Sequence, residues 1–413
     1  MNQIVTTAEM FQSATRAATV AASGQATPLT TEVLTPRCLP AFEADIRGLS
    51  ARALVPNVFL GADVLIAAGQ HFRDAAAPHV LAVWAQGANG HGRRLVGLLA
   101  YARPGLSLPG NLLKGWTHPF VAHGTPLIDR ELAGAVWRTM IEDLTRRFPD
   151  LPGLLLKDVD ATGPFADLIA DTARERGLTI TSLTRSARAV STGAPLRTEG
   201  TGKAGKELRR QRRRLAEAGT LSTSMVTSQH DMRRALETFL TLEAAGWKGE
   251  QASALVQSPD SANFTRAMLR SAGQHGNAAV AELSLDGRVI ASALLVISGT
   301  RGALWKIAYD ETFARFSPGS LLVEDITRWM RSESGLSLLD SCAHAGHAMI
   351  ESLWSERLEV SDLIVGIDAD RPGLTAGIAR ERLRRSLRGR VKAVYNRLRS
   401  FRPVKAVRAA TAG

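Results

Sequence analysis

Ser317, Pro318 and Gly319 stand between a strand-like run, ALWKIAYDETF, and a helical run that opens at Leu321. A strand that passes through a glycine-containing loop into a helix makes an anion site. The first amides of the helix have no intrahelical acceptor, and its dipole favours negative charge there. A diphosphate suits such a site. Groups able to move protons surround it in the sequence. Tyr309 ends the strand before the loop, Asp340 ends a short apolar run further on, and Glu282 sits inside AVAELSL. His344 and His347 follow Asp340. Each of these titratable groups has a plain structural alternative as a satisfied polar group or a solvated edge. Glu243, Trp247 and Lys248 end a helix, where a Trp beside a Lys reads as a pocket wall as readily as a capped, packed helix end. Asp340, Cys342, His344 and His347 make a tempting ligand string, but the run is short and no second ligand pair accompanies it, so no metal is expected. Cys342 reads as a small buried thiol.

The elements that must position these groups are most legible in the second half. AVAELSL (279–285) and VIASALLVI (289–297) flank Asp286-Gly287, a strong hairpin signal. ALWKIAY (303–309) completes an antiparallel meander. The helix LLVEDITRWMRSES follows, with Leu322, Ile326, Trp329 and Met330 on one face. The strand LSLL (336–339), a helix HAMIESLWSERL and a last strand DLIVGI (362–367) complete the order.

The first half repeats that order at a spacing of roughly 180 to 200 residues. HVLAVWA (79–85) pairs with LVGLLAY (95–101) across a Gly-rich turn, and LLKGWTHPF (112–120) takes the place of ALWKIAYDETF. The helix LAGAVWRTMIEDLTRRF (132–148), the strand GLLLKD (153–158), the helix PFADLIADTARERG and the strand LTITSL complete it. The expected organisation is an α/β chain with mixed sheets: an arm over 1–35, one domain over 36–190, a Gly/Thr/Ser-rich linker over 191–205, a second domain over 206–370 and a tail over 371–413.

The chain has 413 residues, 45% of them hydrophobic, which is enough for two or three domains with sizeable cores. No apolar run reaches the length of a membrane span, and the first residues lack the basic start and apolar core of a secretory signal. Two distant cysteines suit a reducing compartment, so a cytoplasmic protein is expected. The net charge of +12 is local: residues 371–408 hold thirteen Lys and Arg against one Glu, and the rest balances at 38 basic and 38 acidic. DNA binding is therefore not expected from the globular part. In the tail, Leu383, Leu387, Val391, Val394, Leu398 and Phe401 recur at helical spacing among arginines, a pattern for an anionic membrane surface over 378–402. A second basic run, Lys203–Arg214, suits a phosphate-rich ligand.

Three pieces carry a family resemblance: KELRRQRRRLAEAG (206–219), FLTLEAAGWKG (239–249) and AYDETFARFSPGSLL (308–322). With the element order over about 200–367, they resemble the GNAT acyl-CoA N-acyltransferase fold and its CelD-like branch. The tandem arrangement is also similar to the Fem-type aminoacyl transferases. The resemblance implies acetyl-CoA or a longer acyl-CoA as co-substrate, held by Arg315, Phe316, Ser317, Pro318, Gly319, Ser320 and Leu321. It implies an amine or hydroxyl on a small-molecule, glycan or lipid-linked acceptor, in envelope or polysaccharide metabolism. Asp340, Tyr309 and Glu282 are the candidates for acid and base, and Glu243, Trp247, Lys248 and His344 for the acceptor pocket. The Fem-like alternative uses aminoacyl-tRNA, and a third alternative is a non-catalytic scaffold for polysaccharide synthesis. The loop departs from the family pattern Arg/Gln-x-x-Gly-x-Gly/Ala, because Pro318 and Ser320 stand where glycines are usual. Pro318 removes one amide donor. In the first half the matching loop, His118 to Pro126, lacks the Arg and the Pro-Gly pair, so that copy is expected to be degenerate.

Overall fold

The computed structural model describes residues 28–73, 75–86, 92–104, 110–200 and 202–400. Most of the arm, the tip of the Gly-rich turn and the end of the tail, Phe401 included, lie outside the described residues.

The first half runs β1 (Leu29–Leu34), α1 (Glu43–Arg52), α2 (Ala62–His71), β2 (His79–Gln86), β3 (Arg93–Tyr101), β4 (Leu113–Lys114), β5 (Leu127–Ile128), α3 (Ala133–Arg147), β6 (Gly153–Asp160), α4 (Pro164–Arg176) and β7 (Ile180–Ser191). The second half runs α5 (Lys203–Glu217), β8 (Leu221–Val226), α6 (Gln229–Ala245), α7 (Trp247–Glu250), α8 (Pro259–Gln274), β9 (Ala278–Leu285), β10 (Arg288–Ser298), β11 (Arg301–Tyr309), α9 (Pro318–Ser332), β12 (Leu338–Asp340), α10 (Ala348–Glu351) and β13 (Glu356–Gly366), before α11 (Leu374–Ser400).

The meander forms as its turn chemistry requires. Asp286 and Gly287 take φ values of 50° and 78°, the left-handed pair of a type I′ hairpin. Several elements differ from the sequence reading. Leu29–Leu34, counted with the arm, is an edge strand paired with β2. The expected helix HAMIESLWSERL is the single turn α10, because Glu356 onward is drawn into a longer β13. LTITSL extends to Ser191 as β7, and LLKGWTHPF yields only the two-residue β4.

Two sheets result: β1-β2-β3-β5, and a nine-stranded sheet in the order β4-β6-β13-β7-β12-β11-β10-β9-β8. The last strand of the second half thus lies in the first half, antiparallel to both β6 and β7. In turn β7 ends beside β12, with Val190 opposite Asp340. One continuous sheet therefore joins the two halves. Apolar clusters fill the space under α3 and α4 in the first half and under α9 in the second. A third cluster spans both halves, bringing Phe59 and Leu65 together with Phe239, Phe264 and Trp305.

Candidate active site at a strand parting

β10 pairs with β11 along its whole length, but β12 pairs with it only over Arg301–Ala303, opposite Leu338–Asp340. Beyond Ala303 the two parallel strands part. The register against β10 slips between Leu294, opposite Lys306, and Leu295, opposite Leu304, so Trp305 is a bulge that bends β11 at this point. Lys248 Nζ reaches the Ile307 carbonyl at 3.4 Å from the unpaired side. In an extended strand the amide and carbonyl of one residue face the same edge, so the Ile307 N–H also faces the parting.

At the end of β11 Asp310 caps a 3₁₀ turn, its carboxylate accepting the Thr312 N–H at 3.0 Å. Ser317 is left-handed at φ 51° and α9 starts at Pro318. The Leu321 amide, expected to be an anion donor, is spent on the Ser317 carbonyl at 3.1 Å. With no N–H on Pro318, Gly319 and Ser320 are the first-turn amides without an intrahelical acceptor. A Cβ on Gly319 would lie 3.3 Å from Met349 Sδ and 3.5 Å from Tyr309 Cδ1, a tight fit that a small shift of the Met349 side chain would relieve. Tyr309 and Met349 therefore line this corner. Arg315 is exposed, its guanidinium 4.7 Å from the centre of the Phe316 ring. Part of the basic run is structural, since Arg212 of α5 pairs with Asp325 and Glu324 of α9. Lys203, Lys206, Arg213 and Arg214 are exposed.

On the other face of the sheet α6 and α7 bring Glu243, Trp247 and Lys248 to the same strand end. Glu243 is buried, accepting from Lys248 Nζ at 2.8 Å and from the Leu255 amide at 2.9 Å. Trp247 is 46% exposed, and its amide donates to Glu311. With Ile307, Ala308 and Tyr309 they line a cavity of about 30 Å³. It adjoins a cleft of about 760 Å³ bounded by Arg234, Thr238, Leu242, Val289 and Tyr309, because Leu242, Gly246, Tyr309 and Glu311 line both.

Two sequence candidates for base are committed elsewhere. Asp340 does lie at the parting, but it is buried, accepts Arg188 Nη2 at 2.7 Å and takes the Cys342 amide. Glu282 is not brought to the parting. It sits on β9, two strands or about 10 Å from Ala308, and Arg234 binds both its oxygens. His344 is exposed in the loop after β12, with Nδ1 at the Ala345 carbonyl. Among the described residues no group of three His, Cys, Asp or Glu is placed to hold a metal ion. Burial pushes the Cys342 thiol well above its ordinary range.

Lys306 was missed. Its ammonium lies 5.1 Å from the Phe120 ring centre and 5.7 Å from that of Trp305. Burial, and then the charge of Lys248, lower its pKa. A lysine in an otherwise apolar strand, ALWKIAY, was the available signal.

A buried polar chain crosses between the halves behind the parting. Arg188 bridges the Ala122 carbonyl and Asp340, Arg301 binds Asp160 at 2.8 Å, and Asp160 meets His123 at 2.9 Å. Burial, then the charge of Arg301, hold His123 below the ordinary histidine range. His118, stacked on Phe72 at 4.1 Å, is pushed down to about 4 by burial and Lys306. Burial raises Asp160, but His123 and Arg301 outweigh it and hold the carboxyl below its usual range. The signs set a pH window. A histidine with a lowered folded pKa binds protons better when unfolded, so its stabilisation is full above roughly pH 6.5 and declines below it. Asp160 adds loss only below roughly pH 4. Thermal midpoints should therefore fall as pH drops from 6.5 towards 4, and His118→Phe should flatten that decline. An equal decline in the variant would rule His118 out as a contributor.

Residues 202–347 match the model of the Acetyltransferase (GNAT) domain family. Among solved structures, FemX superposes with a TM-score of 0.51 at 11% identity, covering 78% of this chain and 95% of that one. The C-terminal domain of a putative lysylphosphatidylglycerol synthetase from Agrobacterium fabrum gives 0.49 at 14% identity, covering 83% and 96%. A tandem GNAT protein from the clavulanic acid biosynthesis pathway gives 0.38 at 13% identity, covering 82% and 98%. No curated protein matches the chain in sequence. At 11% identity the likeness to FemX concerns the fold alone. Residues 202–347 of the second half thus carry the likeness to the Acetyltransferase (GNAT) domain family, in a chain whose overall fold is similar to that of FemX.

Proposed function

We propose that the second half transfers an acyl group from an acyl-CoA to an amine or hydroxyl acceptor. The observation that carries this reading is the parting of β11 from β12 beyond Ala303, with the free N-terminal amides of α9 at the far end of β11. The residues present suit the co-substrate. The Gly319 and Ser320 amides would take the diphosphate, and the unpaired edge of β11 would take the extended amide arm by strand-like hydrogen bonds. The bound thioester supplies an electrophilic carbonyl and a thiolate leaving group.

The chain's part is to hold and to move protons. The Ile307 amide stabilises the carbonyl oxygen as it gains charge. Lys306, in its neutral form, takes the proton from the acceptor as the new bond to the carbonyl carbon forms. The Tyr309 phenol gives a proton to the sulfur as the carbon–sulfur bond breaks, and solvent restores it. The cleft beside Trp247 and Lys248 admits the acceptor.

Calorimetric titration with acetyl-CoA and longer acyl-CoAs tests this, and no binding by any of them overturns it. Ser320→Glu separates binding from folding. A carboxylate in the first turn suits the helix dipole, so the thermal midpoint should hold or rise, whereas affinity for acyl-CoA should fall about tenfold or more. Unchanged affinity would move the diphosphate elsewhere. The exposed Lys203, Lys206, Arg213 and Arg214 on α5 favour aminoacyl-tRNA as the rival donor. Activity abolished by ribonuclease would select that donor.

A further inference from the structure

α11 is docked on one face and bare on another. Leu374 packs on Gly153 and Gly366, and a Cβ at Gly377 would lie 2.8 Å from the Gly110 carbonyl, so helix and loop are in close contact. Further along the same face Glu381 is buried, and Arg385 binds Asp362 at 2.6 Å. At 100° per residue, Gly377, Glu381 and Arg385 fall on one side of the helix and Leu383, Leu387 and Val391 on another. Those three side chains are 61%, 51% and 69% exposed. The same projection places Arg382 and Arg390 on one flank of the apolar stripe and Arg384 and Arg388 on the other. Arg384 is half-buried against Glu381, and the other three are exposed. The helix backbone continues to Ser400.

From this geometry we infer that α11 is a docking surface for a lipid bilayer with anionic headgroups, which it meets lying in the interface. An apolar stripe flanked by arginines is complementary to such a surface in both respects: the leucines enter the acyl boundary while the guanidiniums meet the phosphates. An RNA would satisfy the arginines and leave the stripe in water. A second copy would bring two strongly basic helices together. No helix among the described residues is long and apolar enough to cross a membrane, so this contact is peripheral. The docked face holds the helix against β6 and β13, so the bilayer would lie against the first half of the chain. The inference stands independently of acyl transfer.

The test is co-sedimentation of the full chain with vesicles of phosphatidylcholine alone and of phosphatidylcholine with phosphatidylglycerol. Binding should appear with the anionic vesicles, be absent with the neutral ones and weaken as salt rises. Replacing Leu383, Leu387 and Val391 together by Asp should lower anionic-vesicle binding about tenfold or more, with a nearly unchanged thermal midpoint because all three residues are more than half exposed. Replacing Arg382, Arg388 and Arg390 together by Gln provides a second variant, and it should weaken binding to anionic vesicles and reduce its salt dependence. The inference fails if the full chain ignores anionic vesicles or if the Asp variant binds them undiminished. It also fails if tRNA binds more tightly than the vesicles at the same salt, or if α11 holds two copies together in solution.

Discussion

Arg188→Met should lower the unfolding free energy by about 3–5 kcal/mol, the largest stability effect expected of one substitution in this chain. Arg188 lies on β7, where the first half hands the sheet to β12 of the second. One of its guanidinium nitrogens donates to the Ala122 carbonyl and the other to Asp340, each at 2.7 Å. Met is shorter but keeps the packing of the aliphatic stem. What it removes is the charge opposite Asp340, a buried carboxylate whose next cationic neighbour, Arg301, stands at 3.6 Å and already serves Asp160. An uncompensated buried carboxylate is the costly outcome, more costly than losing the pair as a whole. The double variant Arg188→Met/Asp340→Leu should therefore recover most of the loss. Urea unfolding at constant m-value measures both. A single variant within about 1 kcal/mol of the parent would mean that the polar chain does not tie the halves together. Acyl transfer should fall with stability, because Val190 and Asp340, paired across β7 and β12, fix where β12 ends and the parting begins.

The sequence showed the local parts of this architecture and not its long-range closure. Asp286-Gly287 and the strand-like runs around it are signals that neighbouring residues carry, and that hairpin formed as read, whereas the helix after Ser317 opens at Pro318 and not at Leu321. Which strands meet across hundreds of residues is decided by burial of a whole face, which no local period records. Hence DLIVGI was read as the last strand of the second half, whereas Glu356–Gly366 is inserted between β6 and β7 of the first. The site divides in the same way. Tyr309, Trp247, Lys248 and Glu243 were singled out because a strand end and a helix end each announce themselves, and they line one cavity. Glu282 looked like a buried acid awaiting a role because its partner, Arg234, comes from another element. Lys306 was passed over for the opposite reason, since what distinguishes it is the set of aromatic rings, not carboxylates, that meets its ammonium.

Lys306→Met should reduce kcat about a hundredfold while leaving the KM for acyl-CoA nearly unchanged. An amine acceptor attacks in its neutral form, its ammonium proton left to solvent, and its nitrogen sheds a further proton as the bond to the carbonyl carbon forms. The carboxylates near the parting are poor recipients, because Asp340 is bound to Arg188 and Glu243 to Lys248. Lys306 is on the same strand as the assigned oxyanion donor, in surroundings that disfavour its charged form: burial first, then the neighbouring Lys248. Removing a positioned base costs about 10²–10⁴ in rate. The pH profile separates this role from packing. In the parent, kcat/KM should rise with pH as the Lys306 ammonium loses its proton, along a limb below the ordinary lysine range. Met fills much the same volume against Phe120 and Trp305 but should erase that limb. Arg keeps the charge and cannot deprotonate in a protein, so Lys306→Arg should be as slow as Lys306→Met. A Lys306→Arg enzyme of near-parental rate would show that the position needs only a cation. A Lys306→Met enzyme with parental rate and profile would remove Lys306 from the chemistry and leave the proton to solvent entering through the cleft beside Trp247.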